Sequence, residues 1–303
     1  MNDNLLPAEV HMLLQRAFPS AVIGEPAPTS GGYSHRSAFV TVGGQPVVVK
    51  SADQPERRAD LRREARVLAL LQPQRLPVPE LLHLLEGDHW TALLTRRVPG
   101  DPGQWLYEQP PAQIAPIYRA LGAILAAIHT TTPLAQPEIE RDLAARHSRV
   151  GAALAGMALP ADLLKPLRAA LDTSRKLAAT PQLTHGDPGL HNLIVAGDRL
   201  TLIDWEWAGW DHPLRDLAWL AWTLEFRRMP LMLWHAFLHG YGEQGPVALD
   251  PDRTTLHQLA LAQIAAILQR CPPGSPAQAE WLRRTRWTLE LDFGRYAGPA
   301  AGP

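Results

Sequence analysis

Between residues 185 and 204 the chain gathers His185, Asp187, His191, Asn192 and Asp204. Asn192 directly precedes the apolar run 193–196, Gly197 and Asp198 read as a tight turn, and residues 199–203 return, so an antiparallel hairpin is expected. If Ala196 pairs with Arg199, then Asn192 pairs with Ile203 and Asp204 lies one step beyond. An amide oxygen and a carboxylate are thereby held at the open end of one hairpin. That is a hard-oxygen half-site suited to Mg²⁺, with phosphate and water supplying the rest of the shell. Asp187 precedes Asn192 on a loop containing glycine and proline, which lets it lean over the same end. Taken singly, Asp187 and Asn192 could cap a turn and Asp204 a helix; as a set they point to a site. A different chemistry would use the imidazoles. His185, Asp187, His191, Asp204 and His212 could ligate one or two transition metals and support a metal-dependent hydrolase.

A second candidate centre lies near the N-terminus. Lysine and arginine together number 29, yet the only lysines are Lys50, Lys165 and Lys176. Lys50 ends an apolar run, where a solvated charge is not expected. Residues 38–42 and 45–50 read as two strands joined at Gly43-Gly44. Extending that register from Val42 opposite Gln45 sets Ser37 opposite Lys50. Lys50 then shares an end of the hairpin with the loop 30–36, whose Gly31 and Gly32 would let a backbone approach phosphates. On the helix that follows, Glu64 lies three residues after Leu61 and four before Leu68, on or beside the buried stripe. A carboxylate aimed inward needs a cation, and Lys50 is the candidate. The alternative is a solvated pairing of Glu64 with Arg57, Arg62 or Arg63.

The elements that would carry these residues fall into two regions. A helix over residues 5–18 is followed by the hairpin and by a helix in which Asp53 and Glu56 resemble a capping box and Pro55 suits the first turn. Strands are expected over 81–85 and 90–95, then a loop at 100–103. Beyond about residue 97 the pattern turns mostly helical. Ile114, Ile117, Tyr118, Leu121, Leu125 and Ile128 mark a long core helix, and 131–181 and 214–296 are also read as helical. The expected class is α+β: a small β-rich N-lobe, residues 1–97, and a larger, mostly helical C-lobe, residues 98–303.

Three motifs carry a resemblance. His185-Gly186-Asp187 with Asn192, then Leu202-Ile203-Asp204-Trp205-Glu206 with Ala208, then Pro213 with Asp216-Leu217-Ala218, closely resemble the aminoglycoside phosphotransferase and choline kinase-like superfamily. Leu121-Gly122 with Leu125-Ala126 and Ile128-His129 is similar to that family's core helix. The resemblance implies a two-lobed, protein-kinase-like fold and a small-molecule kinase. Such an enzyme moves the γ-phosphoryl group of ATP or GTP, with Mg²⁺, to an alcohol group of an antibiotic, a choline- or thiamine-like compound or another metabolite. It implies Asp187 as the catalytic aspartate, His185 as a support of the loop, Asn192 and Asp204 as metal ligands and Asp216 as a brace. It agrees with a strand lysine, Lys50, paired to a helix glutamate, Glu64. The family's catalytic loop often reads His-Gly-Asp-Leu-His-Pro-Gly-Asn. Here its middle is Pro188-Gly189-Leu190-His191, so His191 receives no role. The nucleotide set is then Gly31, Gly32, Lys50 and Glu64, with the purine against the main chain of the hinge at Arg96 and Val98. The side chains of Arg96 and Arg97 are expected to point elsewhere.

Composition narrows the alternatives. A formal net charge of −1 gives no global attraction to nucleic acid or anionic lipid. No uninterrupted apolar run suggests a membrane span, and the N-terminus does not resemble a signal peptide. A single cysteine, Cys271, excludes an internal disulfide and a cysteine metal cluster. A cytoplasmic protein is expected. The short spacing from Asp204 to Asp216 leaves no room for a peptide-docking activation segment, so a small acceptor is favoured over a protein. Trp205, Trp207, Trp210, Trp219 and Trp222 could hold a quaternary ammonium or stack on a sugar. The i, i+3 spacing of Trp219 and Trp222 equally suits core packing. A non-catalytic pseudokinase is disfavoured because Lys50, Glu64, Asp187, Asn192 and Asp204 are all present.

Overall fold

A computed structural model describes residues 5–29, 35–131, 136–178, 181–243 and 252–297. Gly31 and Gly32 lie outside the described residues. The chain begins α1 (Ala8–Ala17), β1 (Ala27–Pro28), β2 (Arg36–Val42), β3 (Gln45–Ala52), α2 (Pro55–Leu71), β4 (Leu81–Glu86), β5 (Thr91–Arg96) and β6 (Asp101–Pro102). It continues α3 (Pro111–His129), α4 (Gln136–Gly156), α5 (Ala161–Leu177), β7 (Gln182–Thr184), β8 (Leu193–Ala196) and β9 (Arg199–Leu202). It ends β10 (Gly209–Asp211), α6 (Leu214–Phe226), α7 (Leu231–Gly242), α8 (Arg253–Leu268) and α9 (Pro276–Leu289). This is a mixed α+β fold with a β-rich N-terminal region and a helical C-terminal region.

Two compact units emerge: Met1–Leu106 with Leu190–Ala208, and Tyr107–Gly189 with Gly209–Pro303. This partition differs from a cut at residue 97. β6 pairs with β8, Asp101 opposite Val195, so the chain beyond the hinge stays tied to the β8–β9 hairpin. That hairpin therefore groups with the N-terminal sheet.

In the first unit the sheet runs β1-β2-β3-β5-β4. Successive side chains alternate between its faces. Val47, Val49, Ala92 and Leu94 pack with Leu6, Val10 and Leu14 from α1 and the stretch before it. On the opposite face Ala52 and Leu93 pack with Leu61 and Ala65 of α2. Lys50 lies opposite Leu93 and so belongs to the α2 face. Gly43 and Gly44 have φ of +57° and +81°, as a two-residue turn matching the strand twist requires. The expected capping box does not form: α2 is preceded by Gln54, which makes no side-chain cap. Pro55 takes the first helical position and holds Gln54 extended, so the cap falls one residue after Asp53.

In the second unit α3 has the length and mean hydropathy, 1.3, of a membrane span. Its packing shows what the apolar face covers. Ile114, Tyr118, Leu121, Leu125 and Ile128 are buried, and α3 packs closely on α7. The two backbones meet at glycines: a Cβ on Gly122 would lie 2.1 Å from the carbonyl oxygen of Phe237, and one on Gly240 1.9 Å from that of Arg119. β7 pairs with β10, Thr184 opposite Gly209, and neither short strand is apparent in the sequence pattern.

Candidate active site

The register places Ser37 opposite Lys50, as the sequence predicts. Lys50 Nζ donates to Glu64 at 2.8 and 3.0 Å and to Asp204 Oδ1 at 2.7 Å. Glu64 is 2% exposed. Its partner is therefore Lys50, not Arg57, Arg62 or Arg63. Arg62 is turned to Glu86, and Arg63 to Asp60. Burial would lower the Lys50 pKa, but the carboxylates of Asp204 and Glu64 outweigh it and hold the ammonium form. Burial pushes the Glu64 carboxyl up, against the pull of Lys50. Lys50 is thus a fixed cation shared by two acids.

The β8–β9 hairpin has the expected register, Ala196 opposite Arg199 and Leu193 opposite Leu202. The amide of Ile203 donates to the carbonyl of Asn192 at 2.9 Å, and Asp204 follows at φ +65°, ψ +67°. Asparagine and aspartate tolerate this left-handed conformation better than most residues, yet it carries strain, and such strain clusters at functional sites. Asn192, Asp204, Lys50 and Glu64 line a cavity of about 190 Å³. Phe39, Val48, Ile194 and Ile203 line it as well, giving apolar surface for a flat ring. An amide oxygen and a carboxylate fit a hard divalent ion as a partial shell.

At the hinge the amide of Arg96 donates to the Glu80 carbonyl at 2.9 Å and that of Arg97 to the Pro46 carbonyl at 3.0 Å. Among the described residues the Val98 amide has no such backbone partner, and Val98 lines the cavity. The Arg96 side chain pairs with Glu80. Arg97 departs from expectation. Its guanidinium sits 4.1 Å from the centroid of the Phe39 ring, held at the cavity wall by a cation–π contact.

No local pattern in the sequence marks His35. Nε2 lies 3.3 Å from the Arg57 carbonyl oxygen and Nδ1 3.1 Å from Glu206 Oε2. With Asp60 these groups form the one histidine–acid cluster of metal-binding dimensions among the described residues. Arg63 donates to both Asp60 and the Glu206 carbonyl, so the cluster is already balanced by its own cation. It ties β2 to α2 and to the turn after Asp204.

In the second unit the loop 185–187 hangs from α6. Asp216, fully buried, accepts the amides of His185 at 2.7 Å and Gly186 at 2.6 Å. It also meets His129 Nε2 at 3.0 Å, and His129 Nδ1 lies 2.7 Å from the Tyr241 hydroxyl. Asp216 can only accept, so Nε2 carries the ring proton and Tyr241 donates to Nδ1. Burial would raise the Asp216 pKa, but the hydrogen bond from His129, helped by the nearby imidazoles and the Arg215 guanidinium, outweighs it and holds it low. His185, itself buried, accepts the Asp187 amide on Nδ1 at 3.3 Å. Trp219 Nε1 donates to Asp187 Oδ1 at 2.6 Å. Trp219 and Trp222 are stacked, with ring centroids 4.5 Å apart, and both contact Trp281. The indole faces are largely spent on one another, as core packing predicts.

The structure thus joins Lys50, Glu64, Asn192 and Asp204 in one cavity, and His185, Asp187 and Asp216 in one loop and its support. It adds His35, and it gives contacts at the site to Arg97, His129 and Trp219, which the sequence places near it without those partners.

A sequence profile described as the Phosphotransferase enzyme family matches residues 26–254. No curated protein sequence matches the chain. Among solved structures, aminoglycoside phosphotransferase APH(3'')-Id from Streptomyces rimosus ATCC10970, in complex with ADP and streptomycin, superposes with a TM-score of 0.59 at 20% identity, covering 86% of this chain and 99% of that one. Macrolide 2'-phosphotransferase MphH from Brachybacterium faecium gives 0.60 at 20% identity, covering 92% and 98%. A choline/ethanolamine kinase family protein from Mesorhizobium loti gives 0.59 at 18% identity, covering 90% and 91%.

Proposed function

Because the chain belongs to the phosphotransferase enzyme family, we propose that it transfers the γ-phosphoryl group of a nucleoside triphosphate to a hydroxyl of a small molecule. The observation that carries this reading is the cavity of the first unit. Phe39, Val48, Ile194 and Ile203 would cover the base, with the Val98 amide at its edge. Lys50, held by Glu64, would bind the phosphates.

In the transfer, the acceptor oxygen bonds to the γ-phosphorus as the bond from that phosphorus to the β–γ bridging oxygen breaks. The electron pair stays on the departing diphosphate. The hydroxyl proton passes to the Asp187 carboxylate, which also orients the acceptor. Asn192 and Asp204 would hold Mg²⁺, and that ion, when bound, would neutralise phosphate charge. Lys50 shares Asp204 with that role and keeps the carboxylate turned inward.

The acceptor is proposed to be a small hydroxyl compound. The relatives with solved structures carry names of antibiotic and choline/ethanolamine kinases. The self-stacked Trp219 and Trp222 weaken the case for a quaternary ammonium held between those two rings. The hydrolase reading loses support on two counts: family membership, and a buried His185 that is committed to its own loop.

The test is nucleotide consumption with MgATP and MgGTP across aminoglycosides, macrolides, choline-like compounds and other hydroxylated metabolites. One acceptor class should stimulate consumption. Asp187→Asn should reduce that turnover by roughly 10²–10⁴ with nucleotide binding kept. Near-stoichiometric transition metal after purification, lost on mutating His191, together with no nucleotide binding by calorimetry, would overturn the reading.

A further inference from the structure

We propose that Trp219 is a positioning residue for Asp187, its indole N–H fixing the carboxylate that receives the acceptor proton. The inference rests on the reading of Asp187 given above. Three observations support it. The contact is short, 2.6 Å, and runs from a side chain only 4% exposed to the partly buried Asp187. An indole nitrogen is a donor only and a carboxylate oxygen an acceptor, so the direction of the bond is fixed. The helix that carries Trp219 also carries the support of the loop backbone.

That last point follows from helix geometry. Residues three apart on a helix share a face. Asp216 and Trp219 are three apart on α6. Asp216 takes the amides of His185 and Gly186, and one turn further on Trp219 takes the side chain of Asp187. One helix face therefore holds both the main chain of the loop and its carboxylate. Gly186, at φ +85°, provides the turn that lets backbone and side chain reach the same helix.

The stack behind Trp219 keeps the donor in place. Trp222 lies parallel to it, with an interplanar angle of 2°, and Trp281 packs against both rings. Thr223 donates to the Trp219 carbonyl at 2.9 Å. An indole so confined loses little further rotamer freedom when it bonds the carboxylate. A carboxylate with one oxygen held in this way presents the rest of the group to the acceptor in one orientation. Orientation of this kind is where much of the advantage of a bound base lies.

Trp222 is the internal control. It is as buried as Trp219 and stacked on it, but its N–H goes to Thr288 Oγ1 at 2.8 Å, away from Asp187. If packing were all that mattered, Trp219→Phe and Trp222→Phe would behave alike.

The experiment measures phosphate release from MgATP and from MgGTP with water as acceptor, using the faster donor, and nucleotide affinity with a fluorescent ADP analogue. Trp219→Phe should lower turnover about 10-fold to 100-fold, the worth of one hydrogen bond to a charged group, with nucleotide affinity unchanged. Trp222→Phe should lower the melting temperature without that loss. In an Asp187→Asn background Trp219→Phe should have little further effect on turnover, because the two act as one unit. A second readout needs no activity. In a ¹H–¹⁵N spectrum the indole resonance assigned by its disappearance in Trp219→Phe should lie downfield of the other indoles and move upfield in Asp187→Asn. Equal turnover loss in the two tryptophan variants, full additivity with Asp187→Asn, or an indole resonance indifferent to Asp187 would overturn the proposal. A fully active Asp187→Asn would instead remove Asp187 as the base, which is a separate failure.

Discussion

Replacing Asp216 by asparagine exchanges one oxygen for an NH₂ group and leaves the volume nearly unchanged. The structure gives the cost. Oδ2 receives the His185 amide at 2.7 Å and His129 Nε2 at 3.0 Å, while Oδ1 receives the Gly186 amide at 2.6 Å. All three partners are donors. The asparagine oxygen can replace only one carboxylate oxygen, so its NH₂ must face either one or two N–H groups inside a site that water does not reach. Leaving a buried donor unsatisfied costs about 1–3 kcal/mol. Hydrogen bonds to a neutral amide are also about half as strong as those to a carboxylate. Together these put the loss near 3–5 kcal/mol, a large share of a typical folding stability of about 5–15 kcal/mol. At about 2–4 °C per kcal/mol for a chain of this size class, the melting temperature should fall by roughly 6–20 °C. The loop that carries Asp187 loses its anchor at the same time. Turnover measured well below both melting temperatures should drop on the order of 10²-fold, since displacement of a reacting group by about 1 Å has that effect. Urea unfolding and calorimetry give the first quantity, and nucleotide consumption gives the second. Stability within about 1 kcal/mol of wild type, with turnover changed less than about threefold, would refute the bracing argument.

Lys50→Arg should cut turnover about tenfold or more despite its retained charge, because a planar fork cannot reproduce the single Nζ that meets Glu64 and Asp204 at 2.7–3.0 Å; wild-type kinetics would count against a special role for lysine. Gly240→Ala would set a Cβ 1.9 Å from the Arg119 carbonyl oxygen, so α3 and α7 must separate, at about 3 kcal/mol by urea unfolding; near-neutral stability would show the crossing to be looser than described. Burial is the main cause that holds the His212 pKa below 6.5, and its Nδ1 accepts the Leu214 amide at 3.2 Å. The unfolded chain then takes up the proton first as pH falls, so this contribution is present above pH 6.5 and is lost as pH drops below it. Stability measured at about pH 7.5 and 5.5 should therefore fall further for wild type than for His212→Gln, and equal losses would exclude the group.

The parts of the site that were legible in the sequence are those fixed by strand register. Alternation of side chains and a two-residue glycine turn leave little freedom in a hairpin, because a slip by one residue exposes its whole buried face. That constraint placed Ser37 opposite Lys50, and Asn192 beside Ile203 with Asp204 next. Helix periodicity likewise turned Glu64 toward the sheet. Contacts that depend on elements distant in sequence left no such trace. His35 with Arg57 and Glu206, and Arg97 over Phe39, join residues whose spacing follows no local period. β7 and β10, of three residues each, are too short to alternate visibly.

α6 shows why a buried functional face is harder to read than an exposed one. Arg215 to Leu224 are all buried, so the helix has no polar side to define an inward direction. Hydrophobic periodicity then carries no information about which residue meets what. The signal that remains is chemical. A carboxylate that is fully buried among leucine, alanine and tryptophan must be given donors, because an unpaired buried charge costs more than a domain can sustain. For Asp216 those donors are two backbone amides and an imidazole, which makes the carboxylate the fixed point of the loop before Asp187. The same reasoning reaches Trp219. An indole deep in a stack can satisfy its apolar faces with its neighbours, but its N–H still requires an acceptor. The acceptor it finds, Asp187, is the carboxylate that the proposed transfer chemistry uses.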